Sequence, residues 1–337
     1  MPTPTVCESA TRPAQARFLR AAAFSIGLLG LLASCSKDDD SGTTTSAVPT
    51  RISVPQPALS PEGVQYDEAN KRFVVSSRTQ GRISTVRDDS TFTTLVDDSR
   101  LISTIGINLD AGRQRLLVAV SDIGVNTSRT TATTLRKLAA LAIFNPTTGA
   151  FINYIDLGGL RPALNHFAND IAVDTQGNAY ITDSLSPIIY KVDAQGNASV
   201  FLENAQLSAA TTTGFGLNGI VYHPDGYLLT AKSSDGTLYK VPISNPSGFT
   251  TVTKSQSLVG ADGLLLTNPT TLLVVAGSQS TVFRMTSADA WATTTATGSF
   301  ATGAVSPTTI TKRGSEAYVL YPHTATAPRF AIVKTVF

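Results

Sequence analysis

The sequence predicts an all-β protein, a six-bladed β-propeller of four-stranded antiparallel blades. Three observations carry that reading. Residues 51–337 hold no convincing amphipathic helix. They read instead as short Thr-, Val- and Gly-rich runs that alternate with a period of two, such as Arg72–Ser76, Ala179–Thr182 and Gly236–Val241. Turn signals separate these runs, among them Gln176-Gly177-Asn178, Gln195-Gly196-Asn197, Pro224-Asp225-Gly226 and Ser234-Asp235-Gly236. Finally, one short pattern recurs along the chain at the interval of a propeller blade.

That pattern is a polar residue, then Gly or Asp, then an apolar strand. It stands at Glu62–Asp67, Asn169–Asp174, Asn218–His223 and Asp262–Thr267, with weaker members at Ile105–Asp110 and Ser306–Thr311. The six starts lie 43, 64, 49, 44 and 44 residues apart, the length of a four-stranded blade. The long second interval contains Gly124 to Lys137, expected to extend the loop between the second and third strands of blade two. Arg129, Arg136 and Lys137 within it read as a solvated loop face. The last blade counts only three strands, so Thr50–Val54 is expected to supply the fourth and close the ring.

Ahead of the propeller the chain reads as a targeting segment. Arg12, Arg17 and Arg20 precede the apolar run Ala21–Leu32, which is short for a membrane span and suits a signal peptide. Leu32-Ala33-Ser34-Cys35 resembles the lipobox of bacterial lipoproteins. The resemblance implies a signal peptide over 1–34, a lipid on Cys35 and an anchored protein of the cell envelope at the outer membrane, with the lipid as its only membrane contact. Residues 35–50, rich in Ser, Thr, Asp and Gly, read as a flexible tether.

The whole chain carries 26 Lys and Arg against 24 Asp and Glu. Residues 1–34 contain three Arg and one Glu, so the remainder holds 23 of each and is neutral. No nucleic-acid footprint is expected, and a monomer is. Cys7 and Cys35 are the two cysteines, which leaves the propeller without thiol, disulfide or cysteine–metal chemistry.

In a propeller the innermost strands line a central channel, and their first residues gather at one mouth. Those positions hold Glu62, Ile105, Asn169, Asn218, Asp262 and Ser306. Carboxylate and amide oxygens suit calcium or another hard divalent cation, and the absence of sulfur and histidine argues against zinc or copper. The bland alternative is that Asn and Asp here only shape turns and hydrate the channel.

Pro61-Glu62-Gly63, Ala168-Asn169-Asp170, Leu217-Asn218-Gly219 and Ala261-Asp262-Gly263 also carry a family resemblance. Their order is similar to the metal-ligand motifs of the regucalcin/gluconolactonase (senescence marker protein) propellers, over essentially residues 55–335. The resemblance implies a divalent cation, usually calcium, held by Glu62, Asn169, Asn218 and Asp262, with lactone or ester hydrolysis at the metal and Asp262 doubling as general base. The arginine that sugar lactonases carry two residues before the blade-three Asn is replaced by Phe167, and no carboxylate stands at Ser186-Pro187. A less polar substrate is expected, with His166, Phe167, Phe215 and Ser306 as candidate pocket residues. The competing reading is a non-catalytic propeller that binds a ligand or partner protein through the same mouth.

Other signals fall away. Gly214-Phe215-Gly216-Leu217-Asn218-Gly219 matches a dinucleotide fingerprint, but a β-run rather than a helix follows it. His166, His223 and His323 have no ligand spacing, and no nucleophile elbow or zinc-protease motif occurs. His223 and Asp183 are expected at turns.

Overall fold

A computed structural model describes residues 48–211, 214–323 and 329–337. The expected signal peptide, the lipid-bearing Cys35 and all but the end of the tether lie outside the described residues. Six sheets follow one another around a ring. The chain enters with β1 (Arg51–Val54). Blade one is β2 (Val64–Asp67), β3 (Arg72–Val75), β4 (Ile83–Val86) and β5 (Phe92–Val96). Blade two is β6 (Ser103–Asp110), β7 (Arg115–Ser121), β8 (Ala139–Phe144) and β9 (Phe151–Asp156). Blade three is β10 (Ala168–Val173), β11 (Ala179–Asp183), β12 (Ile188–Val192) and β13 (Ala198–Glu203), and blade four is β14 (Leu217–His223), β15 (Tyr227–Lys232), β16 (Leu238–Pro242) and β17 (Thr250–Thr251).

A two-residue strand, β18 (Thr253–Lys254), then pairs in parallel with the outer strand of blade five. The sequence reading missed this fifth strand, which is too short to show a period. Blade five itself is β19 (Ala261–Asn268), β20 (Thr271–Ala276), β21 (Thr281–Thr286) and β22 (Thr293–Ala301). Blade six is β23 (Ile310–Arg313), β24 (Glu316–Tyr321) and β25 (Phe330–Lys334). The expected closure is present: β1 lies antiparallel to β25, pairing Ile52 with Ile332 and Val54 with Phe330. Among the described residues no helix is long and apolar enough to cross a membrane.

The middle strands are apolar on both faces because each is covered by a blade on either side. β7, β8, β11 and β15 are buried almost throughout. The core is therefore a ring of interblade layers. Phe167, Ile181 and Tyr190 of blade three pack on Leu117 and Leu141 of blade two. Ile52, Phe330 and Tyr318 of the closing blade pack on Val64 and Phe73 of blade one.

The insertion lies between β7 and β8, as expected. Arg136 and Lys137 are exposed as expected, but Arg129 is half-buried and committed to the fold. Arg129 donates Nη1 to the carbonyls of Gly81, Asp98 and Leu101 at 2.7–2.9 Å and Nη2 to Asp97. Lys137 donates to Leu164 O. Buried Asp122 ties the loop's base by accepting from Gly124 N, Thr130 Oγ1 and Thr134 Oγ1. Three backbone carbonyls meeting one guanidinium is a tertiary arrangement that charge pattern alone does not show.

Candidate metal centre

The inner strand of each blade except the first and last breaks register at the same place. The ladder slips between Thr104 and Ile107, Ala168 and Ile171, Leu217 and Ile220, and Ala261 and Leu264. In each case two residues leave the pairing, and these are the motif residues: Ile105-Gly106, Asn169-Asp170, Asn218-Gly219 and Asp262-Gly263. Such bulges re-aim side chains out of the sheet. In blade one, Glu62 and Gly63 precede the paired part of β2, and their backbone N–H groups bond Ser76 Oγ instead.

The glycines of the pattern have a packing reason. A Cβ on Gly219 would stand 2.2 Å from Asp262 O, and one on Gly63 would stand 2.5 Å from Ile105 O. Only a hydrogen there lets neighbouring inner strands close on the axis. Blade three alone of these puts a side chain at the equivalent position, Asp170.

Glu62, Asn169, Asp170, Asn218 and Asp262 thus line one chamber on the axis, with a volume of about 10 Å³, room for one water-sized body. The four expected oxygen donors are brought together, and Asp170 joins them. Sequence reasoning passed over Asp170 because it stood at the Gly-or-Asp step of the repeat and read as turn chemistry. It borders both this chamber and the wider part of the channel, about 240 Å³, beyond it. Its carboxylate accepts from Ile171 N at 2.9 Å and Ile220 N at 3.2 Å. In blade two the motif residue Ile105 is buried in an interblade core, and Gly106 and Ile107 line the chamber without a polar side chain.

Blade six is set differently from the expectation. Thr309, not Ser306, reaches the chamber, and Gly263 N donates to Thr308 O. Thr308 Oγ1 donates to Glu62 O at 3.0 Å and so links the last blade to the first. Ser306 lies outside the chamber lining, donating to Gly277 O. The blade-six motif is weak, and the sequence offered no marker for its register.

The pocket-wall expectations also need correction. His166 is 1% exposed, bonded through Nδ1 to Asp183 Oδ2 and through Nε2 to Arg161 O. Phe167 is buried in the core between blades two and three. Of the three ring-bearing candidates Phe215 alone is exposed, its ring 5.5 Å from that of Phe167. Asp183 does hold a turn, accepting from Leu185 N and Ser186 N, but it is wholly buried and not in solvent. His223 does hold its turn, accepting from Asp225 N and bonding Pro269 O.

The chamber is electrostatically strained. Lost hydration pushes the Glu62 carboxyl up to about 7, and the nearby Asp170 charge adds to this. Asp170 is pushed up to about 6 by the same loss of water, against the N–H bonds it accepts. Asp262 is raised well above the usual range by desolvation and then by Glu62 and Asp170. Arg78 opposes the rise at both Glu62 and Asp262. Its guanidinium rests on Ser60 Oγ and has no carboxylate within 4 Å among the described residues. Like-charged acids crowded on an oxygen-only donor set fit a hard divalent cation. Among the described residues no three His, Cys, Asp or Glu side chains could hold a metal by themselves. A cation here therefore needs the two asparagine amides. A much wider open groove, about 870 Å³ along Arg284, Lys312 and Phe337, shares no residue with the chamber.

A closed ring of six blades with an acidic, oxygen-lined centre defines a class of propeller proteins. Residues 60–319 match the SMP-30/gluconolactonase/LRE-like region, and the chain belongs to that family. Its members are typically metal-dependent. No curated protein matches the chain significantly. Solved structures show the same fold at low identity. The major Malassezia sympodialis allergen Mala s 1 is similar at 17% identity and a TM-score of 0.69, over 86% of this chain and 97% of its own. A gluconolactonase from Xanthomonas campestris is similar at 15% and 0.58, over 87% and 94%. Virginiamycin B lyase from Staphylococcus aureus is similar at 10% and 0.56, over 85% and 98%. An allergen, a lactonase and a lyase on one scaffold leave the activity to be argued from the site.

Proposed function

We propose that this gluconolactonase-like propeller is a divalent-cation-dependent hydrolase of lactones or related esters, with calcium as the cation. The observation that carries the reading is the convergence of Glu62, Asn169, Asn218 and Asp262 on one axial chamber. A bound cation would act as a Lewis acid toward the ester carbonyl. Glu62, Asn169, Asn218 and Asp262 would hold it. Asp262, a ligand as well, would position and deprotonate the attacking water. Arg78, a cation at the mouth without a carboxylate partner, would meet negative charge that develops on the substrate. The absence of an arginine at position 167 and of a carboxylate at Ser186-Pro187 favours a substrate less polar than a sugar lactone.

A lactone and ester panel with calcium, with chelator, and with Asp262→Asn tests this. Turnover should fall at least about 100-fold in both treatments, the loss expected for a general base. Calcium binding without turnover of any member would instead favour the ligand-binding propeller.

A further inference from the structure

We propose that Ser184, held by buried Asp183, is a positioning residue that sets which end of the Asn169 amide faces the axial chamber. The proposal rests on the reading of Asn169 as an oxygen donor to a cation. An asparagine amide can turn either its oxygen or its NH2 toward a ligand, and the two ends have opposite effects on a cation. Asn169 therefore needs a partner that accepts from NH2 and cannot donate to the oxygen.

Ser184 is such a partner. Its single hydroxyl proton is committed to Leu217 O at 2.5 Å, in the first strand of the next blade. Toward Asn169 the hydroxyl can then only accept, and Asn169 Nδ2 donates to it at 2.8 Å. The Asn169 oxygen is left for the chamber that this residue lines. Both residues are buried, so water does not compete for either bond.

The serine cannot turn away, because its backbone is pinned on both sides. Ser184 N donates to Phe167 O at 2.9 Å, and Gly216 N donates to Ser184 O at 2.8 Å. Behind it, Asp183 gathers five donors. Oδ1 accepts from the N–H groups of Phe167, Leu185 and Ser186, while His166 Nδ1 and Tyr190 OH meet Oδ2. This ties the turn after β11 to the segment that leads into Asn169. The buried His166–Asp183–Tyr190 cluster thereby acquires a function as the base on which the serine stands.

Calcium affinity measured by calorimetry on chelator-stripped protein tests the orientation independently of activity. Ser184→Ala should weaken binding about 10- to 100-fold. Ser121→Ala is the control. It removes an equivalent buried hydroxyl-to-carbonyl bond, Ser121 Oγ to Ala168 O at 2.8 Å, without touching an amide, and should leave affinity within about twofold. In an Asn169→Asp background, where either rotamer presents an oxygen, Ser184→Ala should cost about twofold or less. Equal affinity in Ser184→Ala and Ser121→Ala, or an unchanged Ser184→Ala effect in the Asn169→Asp background, overturns the proposal while leaving the centre intact. Absence of calcium binding by the unaltered protein overturns the centre, and the proposal with it.

Discussion

Asp170 is where the chemistry of single residues is most exposed to test. Its carboxyl and that of Glu62 are raised by desolvation, to about 6 and about 7. A raised acid favours the folded state while protonated and loses that contribution as pH climbs through its folded value. The cation-free protein should therefore lose stability between about pH 4.5, near the ordinary carboxyl range, and pH 7. Calcium should reverse the loss by stabilising the ionised acids. Thermal melts at pH 5 and pH 8, with chelator and with calcium, check this. Asp170→Asn should flatten the chelator curve, and a melting temperature already independent of pH in chelator would contradict the reading. The four expected donors could be read from sequence because a carboxylate or amide side chain recurred at blade spacing. Asp170 occupied a position that glycine fills in neighbouring blades, and nothing in a linear pattern distinguishes a turn aspartate from one aimed down a channel. Asp183 and Ser184 were illegible for a related reason: Phe167 and Asn169 meet them only across the β10–β11 pair, and Leu217 only once blade four is packed on blade three.

Among the elements, β1 has the clearest separable role. Ile52 and Val54 are fully buried in the layer shared by blades six and one, and Tyr318 OH donates to Pro49 O. Burying two such side chains stabilises by about 3–6 kcal/mol. Deleting residues 48–55 should lower the melting temperature on the order of 10 °C and expose the edge of β25. No change on deletion would show that blade six closes without it. This closure was legible because a three-strand count at one end met a spare strand at the other. The register of blade six was not. Its start carries Ser306-Pro307-Thr308-Thr309, in which several hydroxyls could stand at the mouth, and only packing against Gly263 selects Thr309. The equivalent bulges of β6, β10, β14 and β19 were likewise hidden, since a bulge alters pairing and not composition.

At the scale of the whole molecule, the repeat converts positions 43 to 64 residues apart into neighbours around one axis. The interblade layers make the ring rigid, and the bulges use that rigidity to hold oxygen donors from blades one, three, four and five at one point. Phosphate- or nucleotide-binding chemistry has no counterpart at this centre, where the acids dominate. The most direct measurement is an anomalous difference map from crystals grown with manganese or a lanthanide in place of calcium. A single strong peak should lie on the channel axis, with oxygens of Glu62, Asn169, Asn218 and Asp262 about 2.3–2.6 Å away, the range for hard-cation sites of the calcium type. A map without a peak among these four residues, or with its only peak at the surface, would contradict the metal centre.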